Sequence, residues 1–485
     1  MKIVTVFVTL FISCSCLGQT GYKIDFKIKG LPDTTAFLGY YTGESTYVKD
    51  TARSNRDGAF TFEGKQRLSP GVYFLALNNA TANKTKVFDI VISDQQHFSM
   101  ETSSEEFILK MKVTGDDDNR IFFENMAYIS ARHKEADPFL KILKDSTLKE
   151  DQKKEARQAF GNINEQVMAH QNDLIAQYPA SMTARLLKIG RQIQIPEPPK
   201  RGDGTIDSSF QLRYYRKHFF DNFDPADDAL THLPKPLYVE KLNEYLDKLF
   251  YQTPDSIMVA IDELATRVKK NPEAYKFMVW ACVYKYQKPA IMGLDEVYVR
   301  LVDKYFVSGE MDFWANASFK KSVKEYADKL RVSLIGKTGA NLIMQDQNFQ
   351  VKSLYEVKKK YTILYIFDPD CGHCREESPK LVEFYARNKA KFNLEVFAVS
   401  ADSSMQKMRD YIKEMKMTWI TVNGPRSYVG QYGKLYYAET TPSLYVLDEK
   451  KKIVAKGLPV DRLEDFIINH ERFMQRKVSP KGKGT

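Results

Sequence analysis

Cys371 and Cys374 enclose Gly372 and His373, and two cysteines three positions apart can close a reversible disulfide or contribute to a metal site. The run Thr362 to Phe367 before them is strand-like, and the run from Cys371 to about Arg387 has helical texture, so the pair stands where a strand passes into a helix. On the first helical turn both sulfurs face one side, where unsatisfied N–H groups and the positive end of the helix dipole favour thiolate over thiol. Cys371, at the helix N-terminus, is therefore the expected nucleophile. Cys374, one turn deeper, is the expected resolving thiol, which attacks the mixed disulfide and releases the partner. His373 can stabilise the thiolate by charge when protonated or by hydrogen bonding when neutral.

Two other uses of such a pair fit less well. A zinc site needs further ligands, but no second cysteine pair follows and His470 is remote and isolated, so no metal is expected. A static structural disulfide is common in exported proteins, but the residues around this pair argue for exchange. Cys282 lies in the apolar helical run Val279 to Tyr284 and reads as a buried core residue. His97, His133, His170, His218 and His232 are scattered without ligand spacing. No cofactor is expected.

The elements that must position the pair alternate strand and helix from Leu334 onward. After the helix come strand Leu394 to Val399 and a helix with Met405, Met408, Ile412 and Met415 on one face. Strands Trp419 to Val422, Ser443 to Leu447 and Ile453 to Lys456 follow, then a helix from Asp461 to Phe473. This order is that of a thioredoxin fold, an α/β domain over residues 334–476. Upstream the texture differs. Six short alternating or β-branched runs between Tyr22 and Ile92, separated by turn signals such as Asp57-Gly58 and Ser69-Pro70-Gly71, predict a small all-β sandwich of antiparallel hairpins over 19–115. Ala-, Lys-, Glu-, Gln- and Leu-rich stretches predict a helical domain over 116–333, interrupted near Pro196 to Thr205 by a Pro/Gly-rich connection. A length of 485 residues suits three such domains, at roughly 100–200 residues each.

The segment Phe367-Asp368-Pro369-Asp370-Cys371-Gly372-His373-Cys374-Arg375-Glu376-Glu377-Ser378-Pro379 resembles the active-site segment of the TlpA/ResA-like thiol–disulfide oxidoreductases, and Gly336 to Leu354 resembles their entry strand pair. The resemblance implies that Glu377, three residues past the second cysteine, handles protons near the pair, and that Pro379 kinks the helix. From the helix alone, Glu377 shares a face with Cys374, where a carboxylate can exchange a proton or simply favour the helix N-terminus. Thr440-Thr441-Pro442-Ser443-Leu444 resembles the cis-proline loop that faces the cysteines in thioredoxin folds, which implies that Thr441 and Pro442 bind substrate. Two positions depart from the pattern: Asp370 stands where an aromatic is usual, and Tyr365 where many thioredoxins carry a buried aspartate. Asp368 occupies the place of the threonine of thioredoxin-fold peroxidases, which disfavours a peroxidase. The Cys-Gly-His-Cys tetrad is the one seen in protein disulfide isomerases, near −180 mV against about −270 mV for thioredoxin. Reductase is the preferred reading; isomerase or oxidase, and an envelope binding or scaffold protein with an accessory redox domain, are the alternatives.

Met1-Lys2, the apolar run Ile3 to Ile12 and the small and polar residues to Gly18 have the three-part layout of a secretory signal, expected over 1–18. The run is about half the ~20 residues of a membrane-spanning helix, so export to the periplasm or cell envelope is expected, with membrane attachment only if Cys14 or Cys16 is lipidated. Removal of those two leaves Cys282, Cys371 and Cys374 of the 5 cysteines, too few for a disulfide scaffold. The net charge of +10 is spread among interleaved acids and bases, so no nucleic-acid partner is expected; a basic tail is read at 477–485. The expected partners are client proteins with thiols or disulfides and a redox partner that supplies or accepts electrons.

Overall fold

The computed structural model describes residues 21–43, 45–78, 83–200 and 202–478. The expected leader at 1–18, with Cys14 and Cys16, and the part of the basic tail at 479–485 lie outside the described residues. The chain divides into two compact units, one of residues up to Leu249 with Leu264–Phe277, the other of Phe250–Glu263 with Met278 onward. The helical stretch is thus shared between the units. Among the described residues no helix is long and apolar enough to cross a membrane.

The first unit begins with strands β1 (Tyr22–Lys29), β2 (Thr35–Thr42), β3 (Ser45–Arg53), β4 (Ala59–Gly64), β5 (Gly71–Asn78), β6 (Lys84–Ile92), β7 (His97–Ser103) and β8 (Lys112–Thr114). They form two four-stranded sheets, β4-β1-β7-β8 and β3-β2-β5-β6. Alternation along β1 sends Tyr22, Ile24, Phe26 and Ile28 into the core with Leu38, Phe62, Leu75 and Ile90. The Asp57-Gly58 turn leads into β4, and Gly58 takes φ 74° where a Cβ would strike the carbonyl oxygen of Ile28. The sandwich is not a simple set of antiparallel hairpins: β1 pairs with β4, β2 with β5, and β7 lies parallel to β1. That strand and β8 are short of apolar residues, with Phe98 and Met100 carrying the buried face of β7, and were not expected.

Helices follow: α1 (Asp117–Lys144), α2 (Glu150–Gln177), α3 (Met182–Ile189), α4 (Phe210–His218), α5 (Leu237–Lys248), α6 (Pro254–Val268), α7 (Pro272–Gln287), α8 (Asp295–Leu301) and α9 (Ala317–Arg331). Asp116 caps α1 by accepting the N–H groups of Asp118 and Asn119. This helix runs on through Pro138. A π-helical turn over Val302–Val307 continues α8.

The second unit holds a seven-stranded sheet with the order β10-β9-β13-β12-β11-β14-β15. Its strands are β9 (Ile343–Asp346), β10 (Val351–Ser353), β11 (Tyr361–Phe367), β12 (Leu394–Ser400), β13 (Ile420–Asn423), β14 (Ser443–Asp448) and β15 (Ile453–Lys456). Four helices accompany them: α10 (Gly372–Asn388), α11 (Met405–Met415), α12 (Tyr432–Tyr436) and α13 (Leu463–Val478). Central β11 is buried along its whole length, as a strand covered on both faces must be. Its odd positions, Tyr361, Ile363, Tyr365 and Phe367, pack with Leu381, Phe384, Tyr411 and Leu463. Its even positions Leu364 and Ile366 pack on the other face with Leu342, Val422 and Tyr436. Parallel pairing with β12 and antiparallel pairing with β14 bring the C-terminal end of β11 beside the N-terminal end of β14. That juxtaposition places the site. On the outer side of the same unit, Asp295 at the start of α8 pairs with Lys456 of β15, and both side chains are largely shielded from water.

Candidate active site

Beyond Phe367 the chain turns through Asp368 and enters α10. The carbonyl oxygen of Asp368 accepts the Cys371 N–H at 3.1 Å, and its side chain accepts the Asp370 N–H at 2.9 Å, a local turn that only a short acidic or amide side chain makes readily. Cys371 caps the helix in extended conformation (φ −82°, ψ 121°), and its carbonyl oxygen accepts the N–H of Arg375. The thiol is half-buried, with its sulfur 3.4 Å from the carbonyl oxygen of Thr441. Burial pushes the Cys371 thiol up. Hydrogen bonding by the backbone N–H and the thiol of Cys374, then by the Thr441 side chain and the His373 backbone N–H, outweighs burial and leaves the thiol below its ordinary value.

Cys374 is fully buried in the cluster of Tyr365, Phe367 and Tyr411, and its sulfur accepts the backbone N–H of Asp368 at 3.4 Å. Burial drives its thiol up to about 12. The two sulfurs therefore differ as a nucleophile and a held-back second thiol should, and both are free thiols here. The Thr441–Pro442 bond is cis.

The structure brings Cys371, Cys374 and Thr441 together at the end of β11, with Pro442 next to Thr441. It places the other expected groups differently. His373 meets the Cys371 sulfur through its backbone N–H, whereas its imidazole is exposed and lies 3.6 Å from a carboxylate oxygen of Glu376. Glu377 is turned toward the other flank of the helix, where one oxygen accepts from Lys380 at 2.6 Å and the other from the Val460 N–H at 3.3 Å.

Several residues at the site were not singled out from the sequence. Asp368 organises the turn and donates to Cys374. Lys407 bridges Asp370 and Asp402 at 2.6 and 2.9 Å, beside Cys371. Beneath the pair, a buried row of hydroxyls joins Tyr365 to Ser378 and Ser378 to Tyr411, each step 3.0 Å. Ser378 follows Cys374 by four positions and so shares its helical face, a spacing visible in the sequence. Tyr411 comes from α11, and nothing local to α10 announces it.

Residues 335–456 match the family model of AhpC/TSA. These residues form an AhpC/TSA-type thioredoxin-like domain. A thioredoxin-like protein of Haemophilus influenzae is 28% identical to this chain over 117 residues, which make up 24% of this chain and 64% of that protein. The chain therefore spans just under two thirds of this curated relative. Among solved structures, a domain of a possible thiol-disulfide isomerase from Cytophaga hutchinsonii is 34% identical, over 29% of this chain and 96% of that one, with a TM-score of 0.28. The thioredoxin domain of a thiol-disulfide oxidoreductase from Bacteroides vulgatus is 27% identical, over 29% and 96%, with a TM-score of 0.26. A thioredoxin-like protein from Bacteroides caccae is 17% identical, over 57% and 100%, with a TM-score of 0.40. Residues 22–122 and 148–329 match two families each described as a domain of unknown function, DUF4369 and DUF5106.

Proposed function

We propose that the protein is an exported thiol–disulfide oxidoreductase that reduces disulfides of client proteins in the periplasm or cell envelope through Cys371 and Cys374. One observation carries the reading. An accessible sulfur with a favoured thiolate faces the Thr441 carbonyl, while its partner sulfur waits buried one turn away. The Cys371 thiolate attacks one sulfur of a client disulfide, forms a mixed disulfide and expels the other client sulfur as a thiolate. Cys374 then loses its proton and attacks the Cys371 sulfur. The internal disulfide closes, the second client sulfur leaves as a thiolate that takes up a proton, and two electrons have passed to the client. A dithiol partner must then reduce the pair.

The preference for reduction rests on His373. An imidazolium beside the nucleophile stabilises the reduced thiolate and makes a pair more oxidising. Here the imidazole is exposed toward Glu376, and backbone amides serve the sulfur instead. Export rests on the sequence of residues 1–18 and the expectation built on it. The test is the reduction potential of the pair in the mature protein, by equilibration in dithiothreitol or glutathione buffers with alkylation of free thiols. A value nearer thioredoxin's (about −270 mV) than the isomerase range (about −180 mV) is expected. A value in the isomerase range would turn the assignment to oxidation or shuffling, and no reversible disulfide at all would end it.

A further inference from the structure

The loop that presents Thr441 to Cys371 is fastened to a helix that belongs to the stretch matching a domain of unknown function. Tyr437 ends α12 with φ 46°, a left-handed conformation that a residue with a Cβ holds only when its surroundings impose it. Two contacts impose it. The hydroxyl of Tyr445 on β14 donates to the carbonyl oxygens of Tyr436 and Tyr437. The ring of Tyr437 meets that of Tyr326 on α9 edge to face at 6.1 Å, and the Tyr326 hydroxyl donates to the carbonyl oxygen of Gln287 at 3.2 Å. Tyr326 is itself packed edge to face on buried Tyr298. A second tie joins Lys329 of α9 to Glu439 at 2.6 Å, but both side chains are exposed, so it contributes little. Only Ala438, Glu439 and Thr440 separate Tyr437 from Thr441.

We infer that α9 is a positioning element for the client-binding loop, with Tyr326 fixing Tyr437 and thereby the height at which Thr441 meets an incoming client segment. This rests on the reading of the site as a thiol–disulfide exchange centre. Tyr326 touches neither sulfur, so its loss acts on how a large client is held and leaves the chemistry of the thiols alone. A small disulfide reagent, which does not need the loop, is insensitive to it.

The experiment uses the full mature chain, wild type beside Tyr326→Phe, which keeps the ring and removes its bond to Gln287, and Tyr437→Leu, which removes the ring that meets Tyr326. Hydrogen–deuterium exchange reads the amides of 438–441, and kinetics read reduction of insulin disulfides against reaction with 5,5′-dithiobis(2-nitrobenzoate). Both variants are expected to speed exchange in the loop and raise KM for insulin about 3- to 10-fold, the size of one lost hydrogen bond or aromatic pair, with kcat and the small-reagent rate within about twofold. Unchanged loop exchange in both variants overturns the inference, as does an equal loss with both reagents. A wild-type chain inactive on insulin, whose loop nevertheless loosens in Tyr326→Phe, overturns the exchange reading and leaves the brace standing.

Discussion

The sulfur of Cys371 and the carbonyl oxygen of Thr441 stand 3.4 Å apart although 70 positions separate them in the chain. The approach is a product of the sheet: β11 delivers one residue from its end, antiparallel β14 the other from its beginning. A client chain lying along Thr441 would bring its own disulfide to the sulfur, which is the geometry that exchange requires.

Thiol reactivity should separate the three described cysteines. In the reduced protein, iodoacetamide is expected to modify Cys371 with a midpoint below the ordinary thiol value. Cys374 and Cys282, both buried and both raised to about 12, should stay unmodified through neutral and mildly alkaline pH. Mass mapping of labelled peptides across pH checks this; labelling of Cys374 ahead of Cys371 would reverse their roles.

Trapping should follow the same order. Cys374→Ala is expected to accumulate mixed disulfides with protein partners, seen as higher-mass bands on non-reducing gels. Cys371→Ser should form none and lose at least about 10³-fold in disulfide reduction, as expected when a covalent nucleophile is removed. Equal trapping by both variants would refute the assignment.

The hydroxyl row beneath the pair makes a stability prediction. Ser378→Ala leaves the buried hydroxyls of Tyr365 and Tyr411 without the partner they share, at a cost of about 1–3 kcal/mol. Tyr365→Phe removes one end and should cost less, because Ser378 keeps Tyr411. Urea unfolding of the two variants against wild type gives the ranking, and the opposite order would count against the row as a shared network.

Lys451 gives a pH dependence. Its buried ammonium donates to the Val357 carbonyl and the Thr362 hydroxyl, each at 2.7 Å, and burial lowers it from 10.5 to about 8. Between those values the unfolded chain keeps a proton that the folded chain has lost. Stability from this group is therefore fully present above the unfolded value of 10.5 and falls as pH drops through about 8, by at most about 3 kcal/mol. The difference in urea midpoint between wild type and Lys451→Met, followed from pH 7.5 to 10.5 as a choice of range bracketing both values, should widen in favour of wild type with rising pH. A flat difference would mean that Lys451 titrates as an exposed lysine.

What the sequence disclosed follows the range of the forces involved. The run Tyr361 to Phe367 and the alternation along β1 declare buried strands because each side chain reports its own environment. The pair at Cys371 and Cys374 is legible for the same reason: spacing within one turn is local. The strand β7 was missed because only Phe98 and Met100 mark its inner face, and its place is earned by pairing with β1, far away in sequence. Helix α9 falls within the expected helical stretch, and Val323, Ala327 and Leu330 recur on it at helical spacing. The imidazole of His373 was expected at the sulfur by adjacency, but a helix N-terminus offers backbone amides there and sends the side chain outward. Tyr326 with Tyr437, and Ser378 with Tyr411, are pairings between separate elements, which no local spacing encodes.

The ion pair of Asp295 with Lys456 bears on how faithfully α9 can do its work. Apolar surfaces slide over one another at little cost, but a slip of one helical turn, about 5.4 Å, would leave two shielded charges each facing nothing. The pair acts as a dowel between α8 and the last strand of the sheet. Whatever strikes or grips those helices from outside therefore moves the sheet with them, across the place where the sequence changes character.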